Sequence, residues 1–232
     1  MSDTESYNYV NNVTIQNMDI VIVRYKNYID DLLYRFYYSG FNFKVYEKHP
    51  EVVIQKEVKY FVPRNKGLEA SGYLKYIIEH YNNLPLHVAF VHDHEYSWHH
   101  SGSIYDILMA SIGEKIWYKN LNSFVWSKDT IEWFPFIKYW YDVYLLDELG
   151  PMELYGDFMT GYKGCAQFIV HRDIIRIRSL NFYKRLYYWI MNTKLHDYYS
   201  GRFMEYTWHL LWGQVSIIQD KKCIESDENC KL

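Results

Sequence analysis

The short run Leu86 to Val91 passes without a turn residue into His92-Asp93-His94-Glu95-Tyr96-Ser97-Trp98-His99-His100, and no other segment constrains the chain so tightly. A run this short and this apolar reads as a strand covered on both faces, which requires helices on both sides of its sheet. A helix stands directly ahead of it. Leu74, Ile77, Ile78 and Tyr81 fall at i, i+3, i+4 and i+7, and Asn82-Asn83-Leu84-Pro85 stops them. Upstream, Asp19 to Val23 is a second apolar run rich in β-branched residues. Asp30 to Tyr38 follows with helical spacing through Leu32, Leu33 and Phe36, Ser39-Gly40 ends it, and Phe43 to Tyr46 returns to a strand. Strand, helix, strand with short connections begins a βαβ fold. The expected fold class is α/β, with a mostly parallel central sheet flanked by helices.

Towards the C-terminus, Cys165 to Val170 reads as a further strand. Ser179 to Thr193 reads as a helix with Phe182, Leu186, Trp189 and Ile190 on one face, and Gly201 to Trp212 as a last helix. Between Ser101 and Gly164 the rings occur in every phase, as in WFPFIKYWYDVYLL, and no period assigns an element. No repeat, low-complexity segment or Pro/Gly/Ser-rich linker divides the 232 residues. The expected layout is a polar leader over 1–18, one domain over 19–214 and a charged tail over 215–232.

Charge narrows the partners. The net charge is −3 with no basic run, which argues against binding a nucleic-acid backbone. No basic-then-apolar leader and no run of about 18 apolar residues is present, so the expectation is a soluble, intracellular protein with no membrane insertion. Cys165, Cys223 and Cys230 form neither a CxxC pair nor an even set, and read as thiols rather than a metal knuckle. The 26 Tyr and 8 Trp exceed what a core needs; they suit sugar or partner surfaces, and an A+T-rich gene would supply many of them regardless.

Three constellations carry possible chemistry. In the first, His92 and His94 alternate at a strand end and project to one side, with Asp93, Glu95, Trp98, His99 and His100 close by. Imidazoles and carboxylates ligate divalent ions, and ligands bind beyond the carboxyl ends of strands in open α/β sheets. The plain alternative is a solvated loop whose histidines bond to backbone. In the second, Phe203, Tyr206, Thr207, Leu210 and Leu211 form one face of the last helix, and Arg202, Glu205, His209 and Trp212 another. That second face is either solvated or a site wall. As a wall, it would use Glu205 as a general base, Arg202 to hold phosphate and His209 as a further imidazole ligand. The third comprises Arg24 and Tyr25 after the first strand, and Asn65, Gly67 and Glu69 before the best helix. Both stretches adjoin helix N-termini, which suit anions, although Asn65 and Gly67 equally suit a turn.

Four blocks, IVIVRYKN, NKGLEASGYLKYIIEHYNNLP, FVHDHEYSWHH and the pair GCAQFIVHRDIIRIR with SGRFMEYTWHLLWG, resemble a family of fungal, bacterial and giant-virus proteins catalogued as a domain of unknown function. The resemblance runs from about Ile20 to Gly213. That family is similar to nucleotide-sugar-dependent glycosyltransferases of the GT-A fold, a Rossmann-like nucleotide-binding single domain. The resemblance implies transfer of a sugar from a nucleotide diphosphate sugar to a hydroxyl of a glycan or glycoprotein. It implies a divalent ion, Mn or Mg, held by His92, Asp93 and His94 where the family's Asp-x-Asp would stand. Asp93, Arg202 and Glu205 would be catalytic, Arg24, Tyr25, Asn65, Gly67, Glu69 and Trp98 would hold the donor, and Trp98 and Trp212 would stack on sugars. The chain departs from the family at Lys26, Asn27 and Leu68, where the usual pattern has Asn, Glu and Arg. Arg24, Arg64 or Arg202 would then have to supply the missing cation. Two rivals remain: a non-catalytic carbohydrate-binding or virion-assembly protein on the same fold, and a metal-dependent hydrolase using the histidine cluster.

Overall fold

The computed structural model describes residues 11–55, 59–123, 125–126, 128–152, 162–163 and 165–214. Residues 1–10 of the leader, the tail 215–232 with Cys223 and Cys230, and residues 153–161 of the aromatic stretch lie outside the described residues.

The first half follows the alternation in the sequence. β1 (Met18–Arg24), α1 (Asp30–Tyr38), β2 (Asn42–Glu47), α2 (Pro50–Gln55), α3 (Ala70–His80) and β3 (His87–His92) come in that order. The aromatic-dense middle holds α4 (Ile104–Ala110), β4 (Tyr118–Asn120), β5 (Val125–Trp126), α5 (Lys128–Tyr144) and α6 (Leu146–Leu149). β6 (Tyr162–Lys163), β7 (Phe168–His171), α7 (Arg172–Arg176), α8 (Leu180–Asn192) and α9 (Asp197–Leu211) complete the order. Ser179 starts α8 as the sequence predicts, its hydroxyl accepting from the Phe182 N–H at 3.1 Å.

Five strands make one sheet in the order β2-β1-β3-β7-β4, and β5 pairs with β6 separately. β1 runs parallel to β2 and β3, whereas β7 is antiparallel to both β3 and β4. The sheet of this single α/β domain is therefore mixed, which corrects the expectation of a mostly parallel one. The reason lies in the chain path. β7 enters the sheet beside the end of β3, with Phe90 opposite Phe168, and runs back along it. A strand buried on both faces looks the same in sequence whichever way it points.

The pleat divides the core in two. Val21 and Val23 of β1 face a cluster with α3, α5, α8 and α9, while Ile20 and Ile22 face another with α1 and α4. Close approach of α3 to β1 depends on Gly72, where a Cβ would lie 2.2 Å from Val23 Cγ2. The last helix starts at Asp197, ahead of the predicted Gly201. Gly201 lies inside it because Leu68 packs against the helix there, its Cγ 2.5 Å from where a Cβ would stand. α9 is buried nearly all round, and Trp212, expected at a site wall, stacks on Trp208 at 5.7 Å and is 1% exposed. Among the described residues no helix is long and apolar enough to cross a membrane.

Candidate metal centre

The loop after β3 is clamped before its histidines do anything. Asp93 accepts from the Tyr25 N–H at 2.9 Å and from Asn27 Nδ2 at 2.8 Å, tying the end of β3 to the end of β1. Glu95 pairs with Arg35 and accepts from the Ser103 hydroxyl at 2.6 Å, and its carbonyl accepts from the Ile104 N–H at 2.9 Å. Those bonds close residues 95–104 into a loop that folds His99 inward, leaving it 4% exposed.

His92, His94 and His99 converge, each offering a ring nitrogen, with the three atoms within 4.8 Å of one another. His94 Nε2 and His99 Nε2 are 3.3 Å apart. Two imidazole nitrogens on a tetrahedral ion, each at 2.0–2.1 Å, stand about 3.3–3.4 Å apart, so this pair already has the spacing of ligands. The Nε2 atom of His92 is shielded from solvent and has no hydrogen-bond partner among the described residues.

Neighbouring amides fix the direction of His99. Asn122 Nδ2 donates to the carbonyls of Cys165 and, at 3.2 Å, Gln167, so its Oδ1 must be an acceptor. That oxygen lies 2.8 Å from His99 Nδ1, which therefore carries the proton and leaves the Nε2 lone pair facing His94. Gln167 completes the clamp. Its Nε2 donates to Asn122 Oδ1 at 3.2 Å and its Oε1 accepts from the His92 N–H at 3.0 Å. Burial lowers the pKa of every ring in the cluster. His99 falls to about 4, although its Asn122 bond opposes this, His94 is lowered against the pull of Asp93, and His92 lies well below its ordinary value. At neutral pH these are neutral imidazoles, the form that ligates.

The centre opens onto a cleft of about 420 Å³ between the ends of β1 and β3 and the loop ahead of α3. Tyr25, Asn65, Glu69, His92, Asp93 and His94, all predicted from sequence, line it. Lys48, Leu68 and Asp197 join them, with no sequence signal that would have found Lys48 or Asp197. Burial, reinforced by the charge of Glu205, pushes the Glu69 carboxyl up to about 8 against the pull of Lys48 and Arg202. Burial pulls Lys48 down to about 8, and its ammonium donates to the carbonyls of Lys66, at 2.8 Å, and Leu68.

Other predicted residues stand elsewhere. Arg24 pairs with the buried Glu47 at 2.6 Å and is not part of the cleft wall. Gly67 has φ +64° and lies against Ile190, where a Cβ would be 2.4 Å from Cγ2, so it serves the turn. Glu205 accepts from the Cys165 N–H at 3.2 Å and pairs with Arg202 at 2.9 Å; it is not part of the cleft wall, although its charge acts on Glu69. His209 is buried in α9 and is not one of the three clustered rings. Trp98 is 65% exposed, its ring 5.4 Å from that of His99.

A family model described as "Protein of unknown function (DUF3431)" matches residues 34–114 and 130–231, which include His92, His94 and His99. No curated protein and no solved structure matches the chain.

Proposed function

The chain belongs to the DUF3431 family, and from its histidine centre we propose that it is a metal-dependent enzyme transferring a sugar from a nucleotide diphosphate sugar to a hydroxyl acceptor. The observation that carries the reading is the convergence of His92, His94 and His99 on a cleft at the carboxyl ends of β1 and β3. In open α/β sheets this is where nucleotides bind.

A divalent ion, when bound, would supply positive charge for the departing diphosphate. An all-imidazole set suits zinc or another late first-row ion better than magnesium, which takes oxygen ligands. The cleft itself has little cation to offer. Arg24 is committed to Glu47, Lys48 donates to backbone carbonyls, and Asp93 and Asp197 are acidic. Donor binding should therefore depend strictly on the metal. Tyr25 and Asn65 line the cleft, and we assign them contact with the donor. Of the two glutamates, Glu69 and not Glu205 lines the cleft, and we assign it the proton of the acceptor hydroxyl, with the charges of Glu205 and Arg202 tuning its affinity.

A second reading is favoured by the donor set: three neutral imidazoles oriented by buried amides also suit a metal-dependent hydrolase. One assay separates the two. The purified chain is incubated with zinc, then manganese, and a panel of nucleotide sugars, with and without oligosaccharide acceptors. Acceptor-dependent release of nucleotide supports transfer, and acceptor-independent hydrolysis supports the second reading. Absence of saturable binding of any donor in either metal overturns the glycosyltransferase.

A further inference from the structure

A second concave surface, of about 1070 Å³, runs along α8 outside the metal cleft. Its floor is aromatic. The rings of Tyr144 and Trp189 lie 5.1 Å apart at 44°, and Tyr188 beside them is 71% exposed. Asn181, Arg185 and Asp147 stand around these rings. The charges are nearly balanced, because Asp147 lines the surface with Lys184 and Arg185, and Arg185 lies 3.7 Å from Glu148. A nucleic acid would need a cationic surplus, and an apolar peptide helix would gain nothing from the amide and charged groups. A carbohydrate matches both: its C–H faces lie on rings while its hydroxyls bond to amides, guanidinium and carboxylate.

The groove also lies near the metal cleft. Thr193 lines it, and Asp197, four residues on, lines the cleft, so at most about 14 Å of chain separates them. The intervening turn is pinned to the cleft-forming loop by Lys66, whose ammonium donates to the Leu195 carbonyl at 2.7 Å and pairs with Asp197 at 3.3 Å.

We infer that the α8 groove binds a carbohydrate chain, the non-reacting part of a glycan acceptor whose end crosses the 193–197 turn to the metal cleft. The acceptor role rests on the glycosyl-transfer reading above.

The test uses the full chain and linear hexasaccharides of N-acetylglucosamine, glucose and mannose, titrated by calorimetry with zinc and again with chelator. At least one should bind, tenfold or more weaker in Tyr188→Ala and in Asn181→Ala, with most of the affinity retained in chelator. Both groove substitutions are at the surface, and an unchanged melting temperature will show that the fold is kept. If no hexasaccharide binds, or if neither groove variant weakens binding, the inference is overturned. Donor turnover without hexasaccharide binding would remove the groove and spare the transfer reading; hexasaccharide binding without any donor binding would do the reverse.

Discussion

His94 and His99 present their Nε2 atoms to each other at 3.3 Å, and Asn122, 2.8 Å from the far nitrogen of His99, decides which lone pair faces the gap. Asn122→Leu removes the acceptor of the His99 Nδ1–H and of the Gln167 side-chain amide, while the Cys165 and Gln167 carbonyls keep the N–H donors of Gln167 and Leu121. Metal affinity should fall about 10- to 100-fold, and each buried group left unsatisfied should cost about 1–3 kcal/mol of stability. Competition titration with a chromogenic chelator and thermal unfolding of the variant check both.

Glu69, held at about 8 chiefly by burial, keeps its proton at neutral pH. If it takes the acceptor's proton, kcat/KM should rise with pH up to about 8 and then level. Glu69→Gln should remove the rise and lower the rate at least 100-fold. A pH profile of both proteins, measured with saturating metal, is the check.

Acid stability follows from the histidines. Burial lowers His99 and His87 to about 4 and His209 to about 3, from an ordinary 6.5. Below 6.5 the unfolded chain takes up protons that the folded chain refuses, so stability is present above 6.5 and is lost as pH falls towards 4. Glu69 acts in the opposite sense: its raised value favours the protonated folded state, so its contribution is lost as pH rises from 4.5 to 8. Three histidines outweigh one carboxyl on the acid side. Between pH 4 and 8 metal-free protein should melt highest near pH 6.5, and Glu69→Gln should flatten the fall from 6.5 to 8 and steepen the rise from 4.5 to 6.5.

At Gly72 the helix α3 meets β1 too closely for any side chain. A Cβ would stand 2.2 Å from Val23 Cγ2 and 2.9 Å from Cγ1. Gly72→Ala should destabilise by about 1–3 kcal/mol despite the better helix propensity of alanine. Val23→Ala in the same chain should recover part of that loss. Chemical denaturation of the single and double variants measures the coupling.

Much of this was legible in the sequence because local periodicity sets local structure. β1, α1, β2, α3 and β3 follow from their patterns, and so does the position of FVHDHEYSWHH at a strand end. The antiparallel return of β7 was not legible, since strand direction is set by a connection of 75 residues from His92 to Gln167 and not by the strand itself. Asn122 and Gln167 were hidden for the same reason: each meets the histidines only through the tertiary fold, 23 and 68 positions from His99. The aspartate between His92 and His94 shows the limit of motif reading. Its oxygens bond to Tyr25 and Asn27, while the third clustered ring is His99, at the far end of the same segment.

The central claim is that His92, His94 and His99 hold a metal ion. X-ray absorption at the zinc edge, on protein loaded with one equivalent of zinc, reads the ligands directly. The account predicts three imidazole nitrogens at about 2.0–2.1 Å and loss of this shell in His99→Ala. A shell without imidazole scattering, or a spectrum that His99→Ala leaves unchanged, would contradict it.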